Sequence, residues 1–118
     1  MLDEKYFLKA FQNPMDRARA THELAQFGEL ALPLLQAILN GSARNEFGVP
    51  YRNLGMPIDC ALVTIQLLGF LAAHLEALVR VELANGHPYA ESALAAIVAQ
   101  PGSRLDSLHA ARSGSQLL

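Results

Sequence analysis

Cys60, four histidines (His22, His74, His87 and His109) and eleven carboxylates are the side chains that could carry nucleophilic, acid–base or metal chemistry here. A cysteine nucleophile needs a base and an orienting group beside it. Cys60 instead falls within an apolar segment, where a small buried thiol is the commoner state. His22-Glu23-Leu24-Ala25-Gln26 has Gln where a helical zinc-protease motif carries its second His, and His87 with Glu91 gives only an i, i+4 pair. Neither a Gly-rich phosphate loop nor a Gly-x-Ser-x-Gly elbow occurs. A carboxylate dyad would need Asp16, Glu23, Glu29, Asp59, Glu76 or Glu82 to meet in a cleft, and no spacing forces that. The chain therefore reads as non-catalytic, with no metal site and no cofactor.

One segment concentrates side chains suited to recognition. Arg44-Asn45-Glu46-Phe47-Gly48-Val49-Pro50-Tyr51-Arg52-Asn53-Leu54-Gly55-Met56 mixes aromatics and Arg, the types most enriched at interface hot spots. Arg44, Glu46, Phe47, Tyr51, Arg52 and Asn53 are the candidate partner-binding residues. The segment allows two readings. As a lid, Phe47, Tyr51 and Leu54 fold back over a helix junction. As a binding loop, it presents its side chains to another protein. Both hold together if Arg44, Glu46, Arg52 and Asn53 face outward.

The elements that must position these residues are helices. The chain has 118 residues, enough for one domain. It holds 19 Ala and 21 Leu against nine Val plus Ile, the balance of a helical protein and not of a sheet. Mean hydropathy of +0.20 excludes intrinsic disorder. Pro, Gly and Asn divide the sequence into pieces of helical length. Asp3–Phe11 reads as a first helix capped by Asp3, and Asn13-Pro14 opens a second that runs to Gly28. A third, Glu29–Leu39, closes on Asn40-Gly41, and 42–56 is the one long loop. Helices follow over Pro57–Gly69 and Phe70–Ala84, the latter closing on Asn85-Gly86. His87-Pro88 opens a sixth, which ends before Pro101. A seventh spans Ser103–Ala111. The expected domain is 1–112 with a C-terminal tail over 113–118.

Self-comparison adds an internal repeat. Ala20, Leu24, Phe27, Gly28, Ala31, Leu34 and Ile38 lie opposite Ala61, Ile65, Leu68, Gly69, Ala72, Leu75 and Val79 at a constant offset of 41. Four of the seven pairs are identical and three are apolar exchanges. The spacing is one helix face, a Gly corner, then a second apolar face. Ala90, Leu94 and Ile97 begin a fainter third copy. Arg19 to Leu39, with Leu24, Phe27-Gly28 and Pro33-Leu34-Leu35, resembles a HEAT or phycobilisome-lyase-type HEAT-like repeat. Ala61 to Leu83 is similar. The Val-Arg pair common early in that family's second helix is absent. The resemblance implies an all-α fold, a short α-α superhelix of two to three stacked helical hairpins. It also implies a scaffold, adaptor or binder, although some relatives of this type act on tetrapyrroles or alkylated DNA. No hairpin buries both its faces alone, so neighbours must stack.

Charge narrows the partners. Nine Lys plus Arg against eleven Asp plus Glu gives −2, without the basic stripe that a nucleic-acid binder shows. Seven of the nine cations are Arg, which together with the Ala and Leu bias suggests a GC-rich bacterial source. The acidic start, Met1-Leu2-Asp3-Glu4-Lys5, does not read as a secretory leader. Cys60–Leu75 lacks formal charge but spans only 16 residues, short of the roughly 18–20 of a membrane helix. The expectation is a cytoplasmic, non-catalytic interaction module whose partner is another protein, such as a small bacterial immunity or adaptor protein, with homo-oligomers allowed. The competing reading is a small-ligand pocket or enzyme between hairpins, built from groups such as His22, Asp59, His74 and Arg80.

Overall fold

Helices α1 (Glu4–Phe11), α2 (Arg17–Gln26), α3 (Leu32–Asn40), α4 (Met56–Leu68), α5 (Glu76–Ala84) and α6 (Ala90–Val98) make up the fold in a computed structural model that describes residues 2–99. The expected Ser103–Ala111 helix, the end of the 1–112 domain and the 113–118 tail lie outside the described residues. At 8 to 13 residues these helices are too short to persist alone in water. Tertiary packing must hold them.

The packing is that of stacked hairpins. The outgoing helices α2, α4 and α6 lie side by side, with α1 against α2 and α4, and the returning helices α3 and α5 touch each other. Phe11, Leu24, Leu34, Leu35, Ile38, Leu39, Leu62, Ile65, Leu75, Val79 and Ile97 are fully buried in one continuous core. Burying a side chain of this kind stabilises by about 1.5–3 kcal/mol. The fold is therefore all-α, with its helices paired into hairpins and the hairpins stacked.

The offset-41 pairs occupy matching environments. Ala20 and Ala61, Leu24 and Ile65, and Ala31 and Ala72 are each 0% exposed, while Phe27 and Leu68 are both partly buried. The two corner glycines have nearly the same positive φ, +60° at Gly28 and +61° at Gly69. After each corner the chain makes a stretch of 3-10 helix, Gly28–Ala31 and Gly69–Leu75, before the returning α-helix starts. The corner is thus longer than the helices expected from Glu29 and Phe70. A tightened turn after the left-handed residue satisfies amide groups that an α-helix start would leave open.

Local signals explain most boundaries. Asp3 caps α1 by accepting from the Tyr6 amide at 3.2 Å. Asn13 Oδ1 accepts from the Met15 amide at 2.9 Å, but residues 14–16 form a turn and α2 begins only at Arg17. Gly41, at φ +83°, closes α3. The run Met56–Ala84, 29 residues with an 18-residue stretch of mean hydropathy 1.8, is apolar and long enough to cross a membrane by length and composition. Its path turns at Gly69 and departs from helical geometry at Ala72, which leaves two short helices that face each other's neighbours.

The corner glycines give a direct test. A Cβ at Gly69 would meet the Ala96 carbonyl oxygen at 3.5 Å, an ordinary contact, so the cost of substitution is backbone strain and not collision. With φ +61° and ψ −131° the position is open only to glycine. Gly69→Ala is expected to lower the free energy of unfolding by about 2 kcal/mol, read from urea denaturation midpoints.

Candidate functional site

The loop between α3 and α4 is held by its own backbone and by one arginine. Beyond Gly41 the Ala43 amide donates back to the Ala37 carbonyl at 3.0 Å, and the Tyr51 amide donates to the Ala43 carbonyl at 2.9 Å. Between these two, Arg44 and Pro50 form an antiparallel bridge and the Asn45 amide donates to Val49 O at 2.9 Å. Asn45 Oδ1 accepts from the Phe47 amide at 2.9 Å and from the Val49 amide at 3.0 Å. The Gly48 carbonyl accepts from Arg44 Nη1 at 2.8 Å. Asn is well suited to this work, since its side chain imitates a backbone turn. The product is a pinched tip, closed by hydrogen bonds of its own, that carries Phe47 at 81% exposure.

Arg52 turns the other way. It lies in a short 3-10 turn, Tyr51–Leu54, and its side chain runs inward past Gly41, whose missing Cβ would sit 3.4 Å from it. Its Nη1 donates to the Leu39 carbonyl at the end of α3. Its Nη2 meets Glu82 Oε2 of α5 at 2.9 Å, and Glu82 is only 3% exposed. A cation at a helix C-terminus also gains from the helix dipole. One side chain thus ties the loop to both returning helices.

Among the six candidate residues, then, Arg44, Glu46, Phe47 and Asn53 are exposed, Tyr51 packs partly buried against the core, and Arg52 faces inward. The arrangement with Arg52 outward does not occur. The lid residues divide as well: Tyr51 covers the core, while Phe47 stands in solvent and Leu54 is 39% exposed. Glu82, weighed only as half of a carboxylate pair, turns out to be the buried partner of an arginine. Its register was legible, because Leu75, Val79 and Glu82 follow the i, i+4, i+7 spacing of a buried face. A carboxylate on such a face requires a cation.

The other chemistry-bearing residues are dispersed. Cys60 is buried, with Sγ 3.9 Å from the Phe11 carbonyl. Burial pushes its thiol up to about 11, with Arg17 pulling down and Asp59 pushing up more weakly. At neutral pH it is a thiol and not a thiolate. His87 Nε2 lies 2.7 Å from Asp59 Oδ1, which fastens the start of the α6 region to α4. Arg80 pairs with Glu76 at 2.7 Å one turn away, and His22 Nδ1 meets its own helix at Ala18 O, 3.0 Å. Asp59 and Arg80 are thus paired with His87 and Glu76, and His22 with its own helix. Among the described residues no three His, Cys, Asp or Glu side chains are placed to hold a metal ion.

The described residues also frame surface depressions. A cleft of about 550 Å³ lies between α1 and α2, lined by Asp3, Tyr6, Phe7, Glu23, Gln26 and Phe27. An apolar groove of about 390 Å³ runs along 66–71 with Ala96 and Ala99, flanked by half-exposed Leu67, Phe70 and Leu71. No protein-family model, no curated protein and no solved structure matches the chain.

Two measurements check these assignments. Arg52→Ala leaves Glu82 buried without its cation and is expected to lower stability by about 3 kcal/mol, the lower end for such pairs because part of Arg52 is solvated. Arg52→Met combined with Glu82→Leu should recover most of that loss in the same denaturation assay. For Cys60, the unfolded thiol ionises near its ordinary 9.0 and the folded one near 11. The folded chain then holds more protons between those values, so stability is complete below about pH 9 and falls as pH rises toward 11. Denaturation midpoints across that window should show a smaller alkaline decline in Cys60→Ala than in the wild type.

Proposed function

We propose that this chain is a HEAT-like helical-repeat interaction module that binds another protein and performs no chemistry, with the tip of the 42–56 loop as its contact. The observation that carries the reading is Phe47, a large aromatic 81% exposed on a turn that the Asn45 side chain already holds. A lone solvent-facing aromatic gains nothing for folding, yet buried in a partner's pocket it is the kind of side chain that dominates binding energy. Fixing the loop beforehand reduces the ordering cost of association. Arg44, Glu46 and Asn53, exposed nearby in sequence, supply the polar rim of such a contact. Arg52 and Tyr51 belong to its support.

The matched environments of the offset-41 positions support the repeat reading, since a HEAT-like hairpin requires the same small and large residues at its corner. Cytoplasmic residence and a small bacterial immunity or adaptor role fit the composition and size. A pocket between hairpins around His22, Asp59, His74 and Arg80 has less support, because Asp59 and Arg80 are already paired with His87 and Glu76.

The test is affinity capture from the cytosol of the source cell with wild-type and Phe47→Ser baits. Phe47→Ser should shift stability by no more than about 0.5 kcal/mol, as expected for a surface position. It should weaken capture of a stoichiometric partner by about 2 kcal/mol or more. Equal recovery of that partner by both baits would overturn the loop assignment, and light scattering of the free chain separates a second copy from a foreign partner.

A further inference from the structure

The cleft between α1 and α2 combines aromatic walls with acidic groups at its edge. Its floor is Phe7, 3% exposed, and its walls include Tyr6 and Phe27. Tyr6 and Phe27 both stand edge-on to Phe7, at 5.0 Å and 73° and at 5.9 Å and 87°. The charged groups among the six lining residues are Asp3 and Glu23, both acidic.

Both carboxylates are held in place by the fold. The Tyr6 hydroxyl donates to Glu23 Oε1 at 2.8 Å across the two helices, and Asp3 Oδ1 accepts from the Tyr6 amide at 3.2 Å. Neither is saturated, since a carboxylate offers about four acceptor sites. Arg19, one turn before Glu23 on α2, bonds to Asp16 at 3.1 Å and pairs with Glu23 Oε2 only at a long, solvent-exposed 3.9 Å, so it neutralises Glu23 in part. Aromatic faces beside fixed negative charge attract a cation and also cover the alkyl stem behind it. A neutral or anionic guest would gain only the walls.

We infer that this cleft is a binding site for an organic cation on a short apolar stem, a guanidinium or ammonium of the kind that a partner's Arg or Lys side chain and a free alkylamine share. The site is separate from the Phe47 loop. It uses residues of α1 and α2 and the turns beside them, whereas the loop joins α3 to α4, so either can fail without the other.

The experiment is a titration of the full chain followed by amide ¹H–¹⁵N spectra, with acetyl-arginine amide, its neutral isostere acetyl-citrulline amide, and butylamine as probes. Saturable shifts confined to 3–11 and 19–28 are expected with the cations, and affinity about tenfold lower with citrulline. Asp3→Asn keeps a capping side chain and Glu23→Gln keeps an acceptor for the Tyr6 hydroxyl. The doubly substituted chain should therefore stay folded and lose the cation preference. Butylamine binding as tightly as acetyl-arginine amide would assign the site to free amines, and weaker butylamine binding to a basic side chain of a partner. Shifts that do not saturate, equal binding of citrulline, or a cation preference surviving in the double variant would each overturn the inference.

Discussion

The loop, α3 and α5 depend on one another through the guanidinium of Arg52. Glu82 cannot stand alone at 3% exposure, because a bare carboxylate in that position is strongly disfavoured. Arg52 neutralises it and satisfies the end of α3 with the same fork, a geometry that a lysine could not reproduce. The route past Gly41 explains why α3 closes on a glycine for two reasons at once: the left-handed stop and the passage of another side chain. Replacing a buried ion pair by well-packed apolar residues is often neutral for stability. What the ionic pair adds is direction, since only the correct loop register brings the charge to Glu82.

The second constraint is the corner. Each hairpin must reverse within a few residues while keeping its outgoing and returning faces on the same core. Gly28 and Gly69 do this with almost the same positive φ, and the alanines three residues later, Ala31 and Ala72, are small enough to let the helices close. Leucine in either place would force the helices apart. Duplicated corners then place Leu34 and Leu75, and Ile38 and Val79, in equivalent layers, so one packing solution serves both hairpins. Neither hairpin is long enough to stand alone, and the stack is the smallest unit that buries both faces.

Much of this architecture was legible in the residues, and the part that was not has a physical reason. Ala, Leu and the Asn-Gly stops marked the helices, and the offset-41 pairs marked which faces turn inward. The 3-10 stretches after Gly28 and Gly69 were hidden, because hydrophobic spacing over four to seven residues does not separate 3.0 from 3.6 residues per turn. The start of α2 was displaced for a similar reason: Asn13 and Pro14 carry the signals of a cap but spend them on a turn. For the loop, residue types alone could not separate anchor from contact. Arg and Tyr are enriched both at interfaces and at inward-facing junctions, and only the position of Glu82 decides that Arg52 is an anchor.

That decision has a consequence for how the loop works. A loop that bound through Arg52 would have to break the pair with Glu82, and so would lose fold stability in proportion to what it gained in contact. With Arg52 and Tyr51 committed inward, the exposed tip is decoupled from that penalty. Its conformation is set by Asn45 and by the Arg44–Gly48 bond, both within the tip, so Phe47 can change without disturbing the core. Side chains that vary freely at no cost to folding are the ones through which a small scaffold acquires specificity, and here they sit on a base that one buried arginine holds still.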